Sequence, residues 1–173
     1  RFCSAIHGSA HFWTRLPDTS SHTLGITLES VALMVVDDMK SQLLAELELA
    51  RSRTEQLIVT LPEEKLDVPY HPGVNPPLWE MGHSAFFYEV FVFNLLDGTP
   101  SYDPSMDDLW DSFHVDHKDR WNRELFPGRE ETLKYFNTIY DRVAERIKGR
   151  ELTDKELYLY RYAIYHQNMH IES

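Results

Sequence analysis

Tyr165-His166-Gln167-Asn168-Met169-His170-Ile171-Glu172 sets two histidines four residues apart. On a helix that spacing stacks the two rings on one face. Neutral imidazoles so placed can share one transition-metal ion, and such a site normally needs a third ligand. Leu159 and Tyr162 step into the same row. The pair is therefore expected to point inward, where uncharged imidazoles need partners. A helix with such a row must bury it against other helices, and the chain upstream supplies them.

Thr153-Asp154-Lys155-Glu156 is a capping box that opens this last helix. Before it, Leu133, Phe136, Tyr140, Val143 and Ile147 step by three and four between Pro127-Gly128 and Gly149, which predicts a helix from about Arg129 to Lys148. A further helix is predicted from about Pro77 to Leu96, stopped by Asp97-Gly98-Thr99-Pro100. Its apolar residues lie on more than one face, so it is largely buried. The first helix runs from about Leu33 to Leu61, with Leu43, Leu47, Ala50, Thr54, Leu57 and Leu61 as one stripe. Pro62 to Leu66 reads as a short helical turn, and the proline-rich stretch from Val68 to Pro77 as a loop. Residues 100–128 form a long connection with a short helix near Asp107 to Phe113. Residues 1–30 show no sustained period and read as a poorly ordered leader without the layout of a signal peptide. The expectation is an all-α chain: a four-helix bundle over residues 31–173, with a long connection between its second and third helices.

Composition narrows the function classes. The chain has 173 residues, 42% hydrophobic and 26% charged, which suits one globular domain. Its apolar runs are too short to span a bilayer, so no membrane partner is expected. A formal net charge of −11 argues against nucleic acid as a partner. The single Cys3 excludes an internal disulfide framework and leaves a reducing, cytoplasmic location as the default. The chain begins with Arg1 and stops at Ser173 directly after the histidine motif, so a fragment of a longer protein is expected.

The third metal ligand is expected to be His83, within Pro77-Leu78-Trp79-Glu80-Met81-Gly82-His83 on the second helix. Three imidazoles with open positions suit Zn, Fe, Ni or Cu. Gln167 follows His166, so the HExxH pattern with its glutamate base is absent. Glu172 lies about 160° round the helix from His170 at ~100° per residue; either it supports a ligand from outside the coordination sphere or it faces solvent. His114 and His117, among Asp111, Asp116 and Asp119, read as a hydrated, hydrogen-bonded segment. Arg120-Trp121 either clamps an anionic substrate or is an arginine covering a surface tryptophan. His7, His11 and His22 carry no assignment, and Cys3 lacks the surroundings of a nucleophile.

The residues from Pro77 to His83 with Phe86-Phe87-Tyr88-Glu89, then Asp111-Ser112-Phe113 with His117 and Arg120-Trp121, then Arg161 to Glu172, resemble the N-terminal DinB-like domain of the ergothioneine synthase group. That group includes the iron-dependent sulfoxide synthases and their ovothiol and selenoneine relatives. The resemblance covers about residues 38–173. It implies a non-haem Fe(II) held by His83, His166 and His170, at which O2 and a thiol or selenium donor meet to form a C–S or C–Se bond to hercynine. Family members often have glutamate where this chain has Gln167, and they carry a C-terminal domain resembling the formylglycine-generating enzyme, which is absent here. The fragment alone is therefore expected to be inactive. The competing expectations are a stand-alone DinB-like thiol S-transferase or isomerase using Zn or another divalent metal, and a helical domain whose histidines are structural.

Overall fold

The computed structural model describes residues 27–173, and all of its regular structure among them is helical. Five α-helices follow in order: α1 (Leu28–Thr60), α2 (Pro77–Tyr88), α3 (Pro104–Trp110), α4 (Arg129–Lys148) and α5 (Asp154–Glu172). The leader expected over residues 1–30 lies almost wholly outside the described residues. Helix α1 starts five residues before the Leu33 expected from periodicity. Thr27 caps it, its hydroxyl accepting from the Ser30 amide at 3.1 Å. The early start carries no apolar stripe because the first turns lie clear of the bundle: Leu28 is 89% exposed, and Val31, Leu33 and Met34 are exposed too.

The long helices are α1, α2 with its extension, α4 and α5, and they enclose one core. Leu43, Leu47, Ala50 and Ile58 from α1 meet Met81, Ala85 and Tyr88 from α2. Phe136, Ile139, Val143 and Ile147 of α4 and Tyr160, Ala163 and Ile164 of α5 complete it. The fold is the expected four-helix bundle, with α3 and a 3₁₀ turn at His117–Trp121 inside the long connection. No helix among the described residues is long and apolar enough to cross a membrane.

Two local features position the site. Helix α2 widens into a π-helix over Glu89–Asp97 before ending on Gly98 at φ 63°, a left-handed cap that glycine adopts without strain. The wide turns leave Glu89 fully buried, accepting from the Tyr102 amide (2.6 Å) and the Tyr135 hydroxyl (2.7 Å) and paired with Arg142 (3.3 Å). At the other end of α4, Arg146 grips Asp97 with two N–H groups (2.7 and 2.6 Å) and Glu156 with another contact at 3.0 Å. That knot ties the end of the α2 extension, α4 and the start of α5 together. It fixes the register of α5 against α2, and therefore of the histidines each carries.

Candidate metal centre

His83, His166 and His170 come together where α2 meets the end of α5. One ring nitrogen from each lies within 4.8 Å of the others. The ring centroids are 5.1 Å apart for His83 and His166, 4.9 Å for His83 and His170, and 4.3 Å for His166 and His170. His83 is 7% exposed, and the other two are partly buried at its side.

The hydrogen bonds around the rings decide where their lone pairs point. His83 Nδ1 lies 2.7 Å from the Trp110 carbonyl, which only accepts, so a neutral His83 carries its hydrogen there and leaves Nε2 bare. His170 Nδ1 lies 2.5 Å from Glu80 Oε2, a charge contact without hydrogen-bond alignment; a bare Nδ1 lone pair would oppose the carboxylate oxygen, so a neutral His170 carries its hydrogen on Nδ1 and presents Nε2. That nitrogen faces His166 Nε2 at 3.0 Å. His166 Nδ1 is buried without a hydrogen-bond partner. Three imidazoles whose ring nitrogens lie within 4.8 Å of one another, one of them with an unmatched buried nitrogen, form a donor set that suits a soft-to-borderline divalent metal.

Burial keeps His83 and His166 neutral. It lowers His83 from the ordinary 6.5 to about 4, against the opposing effect of the Trp110 carbonyl. Burial lowers His166 to about 3, with His170 and His83 adding to the effect. The unfolded chain takes up protons on these rings below pH 6.5, whereas the folded metal-free protein refuses them until about pH 4 and 3. Folding stability is therefore expected to fall as pH drops through that window, with His83 accounting for roughly 2–3 kcal/mol. Urea unfolding at pH 7 and pH 4 would show it. His83→Ala should flatten the slope, and equal slopes in the two proteins would contradict the burial effect.

Aromatic rings cover the outer faces of two of the three imidazoles. Trp79 is stacked on His83 at 4.6 Å and 13°, and Phe87 on His166 at 3.6 Å and 11°. Gly82 is what lets α2 bring them there. A Cβ on Gly82 would stand 2.5 Å from three atoms of the Trp110 ring, the residue whose carbonyl holds His83.

Residues 46–173 match the family model described as the DinB superfamily. The chain belongs to the DinB superfamily. No curated protein matches it.

Other residues of this DinB domain sit differently from expectation. The inward row of α5 is Tyr160, Ala163, Ile164 and Gln167, and Tyr162 is 42% exposed. The row of Leu159, Tyr162, His166 and His170 is the flank of α5, turned toward α2 instead of the core centre. Gln167 is the most deeply buried polar residue of α5. Its Oε1 accepts from the Tyr88 (3.0 Å) and Tyr140 hydroxyls, while Nε2 donates to the Ala50 carbonyl (2.9 Å) and Thr54 Oγ1 (2.8 Å). Glu172 is exposed, and the carboxylate beside the triad belongs to Glu80. Arg120 covers Trp79, its guanidinium 4.0 Å over the ring, and donates to Asn75 Oδ1 at 2.8 Å. Trp121 donates to the Val68 carbonyl (2.9 Å) and packs edge-on against Tyr70 and His117. His117 Nε2 contacts the Val74 carbonyl at 2.9 Å, and His114 lies 3.1 Å from Asp111. Cys3, His7, His11 and His22 lie outside the described residues.

Glu80 and Gln167 are the residues that sequence reasoning passed over. Glu80 had a signal, since it precedes His83 by three residues and so shares its helix face. Gln167 had a weaker one: it steps by three and four from Tyr160, Ala163 and Ile164.

Proposed function

We propose that the domain binds one divalent metal through His83, His166 and His170. We further propose that the ion is Fe(II), serving oxygen-dependent C–S or C–Se bond formation on hercynine with a thiol or selenium donor. The observation that carries the metal reading is the convergence of three imidazoles, one with its outer nitrogen bonded to a backbone carbonyl and another with its outer nitrogen against a carboxylate. The finer reading is supported by the Trp79-Glu80-Met81-Gly82-His83 stretch and the His166/His170/Glu172 spacing, which resemble the iron domain of sulfoxide synthases. Bound there, Fe(II) would supply a redox-active Lewis acid with positions open to substrate.

The chain's own residues would present three nitrogen donors and hold their orientation. His83 and His170 offer Nε2, held by the Trp110 carbonyl and Glu80. The Trp79 and Phe87 rings shield the faces of His83 and His166 from water.

Fe(II)-loaded protein treated anaerobically with nitric oxide, an oxygen surrogate, is expected to give a high-spin iron–nitrosyl electron-paramagnetic-resonance signal. Adding a thiol should then shift that signal, because both ligands need open positions on one ion. Tight Zn binding with no nitrosyl signal would instead favour a redox-inert DinB-type thiol transferase.

A further inference from the structure

Two of the three histidines are joined behind the site by a closed run of side chains. From His170 Nδ1 the run passes to Glu80 Oε2 at 2.5 Å, and from Glu80 Oε1 to the Asn75 amide at 2.9 Å. Asn75 Oδ1 accepts from Arg120 at 2.8 Å, Arg120 lies over Trp79 at 4.0 Å, and Trp79 is stacked on His83. Ser173 Oγ makes one further, long approach to Glu80 Oε1 at 3.5 Å. His166 stands outside this run, held by the face of Phe87 and with Nδ1 unpartnered.

We infer that Glu80 is a positioning residue for the metal. It makes His83 and His170 the standing pair of ligands, and His166 completes the site. A neutral imidazole has one N–H and one lone pair, and a lone pair on Nδ1 would face the carboxylate oxygen at 2.5 Å, so the charge of Glu80 favours the hydrogen of His170 on Nδ1 and leaves Nε2 for the ion. The negative charge also makes the ring a stronger donor. Helix geometry explains how one residue serves this role. Glu80 lies in the first turn of α2, where the helix dipole favours a carboxylate, and three residues before His83 on the same face. One turn of α2 thus supplies both a ligand and the group that orients a ligand on α5. The inference rests on the three-histidine reading above.

The test is anaerobic titration with Fe(II), and with Co(II) as a coloured probe, of the wild type, Glu80→Gln and Asn75→Ala. Thermal unfolding of each metal-free protein is recorded alongside. Glu80→Gln keeps the side-chain size but removes the charge and can turn an N–H₂ toward His170. Its metal affinity is expected to fall about 10- to 100-fold, with altered Co(II) ligand-field bands and a metal-free melting temperature close to wild type. Asn75→Ala, which loosens Glu80 and also releases Arg120, should move affinity the same way by less. It decides the question alone if Glu80→Gln does not fold. Wild-type affinity and spectra in the folded variants would overturn the role of Glu80 while leaving the triad intact. A wild-type protein that binds neither ion would instead overturn the triad itself.

Discussion

Gln167→Glu is expected to destabilise the protein by about 3 kcal/mol or more, although it changes a single heavy atom. The amide at this position is matched on both sides. Two tyrosine hydroxyls donate to its oxygen, and its nitrogen donates to the Ala50 carbonyl and to Thr54. The Thr54 hydroxyl already spends its hydrogen on the Ala50 carbonyl at 3.0 Å, so it has only an acceptor to offer. An ionised glutamate would set one carboxylate oxygen against two acceptors inside a fully buried site. A protonated one could satisfy only one of them. For a domain of this size the loss corresponds to a melting temperature lower by roughly 10 °C, readable by circular dichroism. Because residue 167 follows His166, metal affinity should fall as well. A variant as stable as wild type would show that the network does not hold α5 in place.

Gly82→Ala is the second large effect, and two opposing contributions decide its sign. Inside a helix, alanine is favoured over glycine by about 1 kcal/mol. Against that, the new Cβ would sit 2.5 Å from the ring of Trp110, itself fully buried and without room to yield. Overpacking of this kind costs typically 1–3 kcal/mol and sometimes more; with three ring atoms at 2.5 Å the upper end applies, so a net loss of about 2 kcal/mol is expected. The site should suffer beyond the fold, because moving Trp110 moves the carbonyl that holds His83 Nδ1. Metal affinity is then expected to drop at least about tenfold, in line with loss of a ligand's outer partner. Denaturant unfolding combined with metal titration checks both parts. An unchanged or raised midpoint would mean that α2 and α3 are less closely apposed than the structure has them.

How much of this was legible in the sequence depended on whether a residue's burial had a local signal. Helices α4 and α5 were placed at their ends because caps mark them: Gly128 and Gly149 for α4, and the Thr153–Glu156 box for α5. The start of α1 was not, since its first turns touch nothing that would impose an apolar stripe. The conversion of α2 to π-helix at Glu89 left no trace either, because a segment apolar on several faces has no phase to shift. The three histidines were legible as candidates by spacing and by context. Their surroundings were not. The row holding His166 and His170 reads as inward-facing, and it lies one residue's rotation, about 100°, to the side of the buried centre. The centre is occupied by Gln167, whose partners on α1, α2 and α4 come from positions 27 to 117 residues away in the chain. Spacing along one helix cannot report such contacts. Arg120 likewise reads as a covering arginine, but over Trp79, forty-one positions earlier, and not over its neighbour Trp121.

The most direct measurement is anaerobic Fe(II) titration of the wild type beside His83→Ala, His166→Ala and His170→Ala. Near-stoichiometric binding that each substitution abolishes or weakens by orders of magnitude is the predicted result. Binding indifferent to all three substitutions would contradict the metal centre, and with it the proposed iron chemistry.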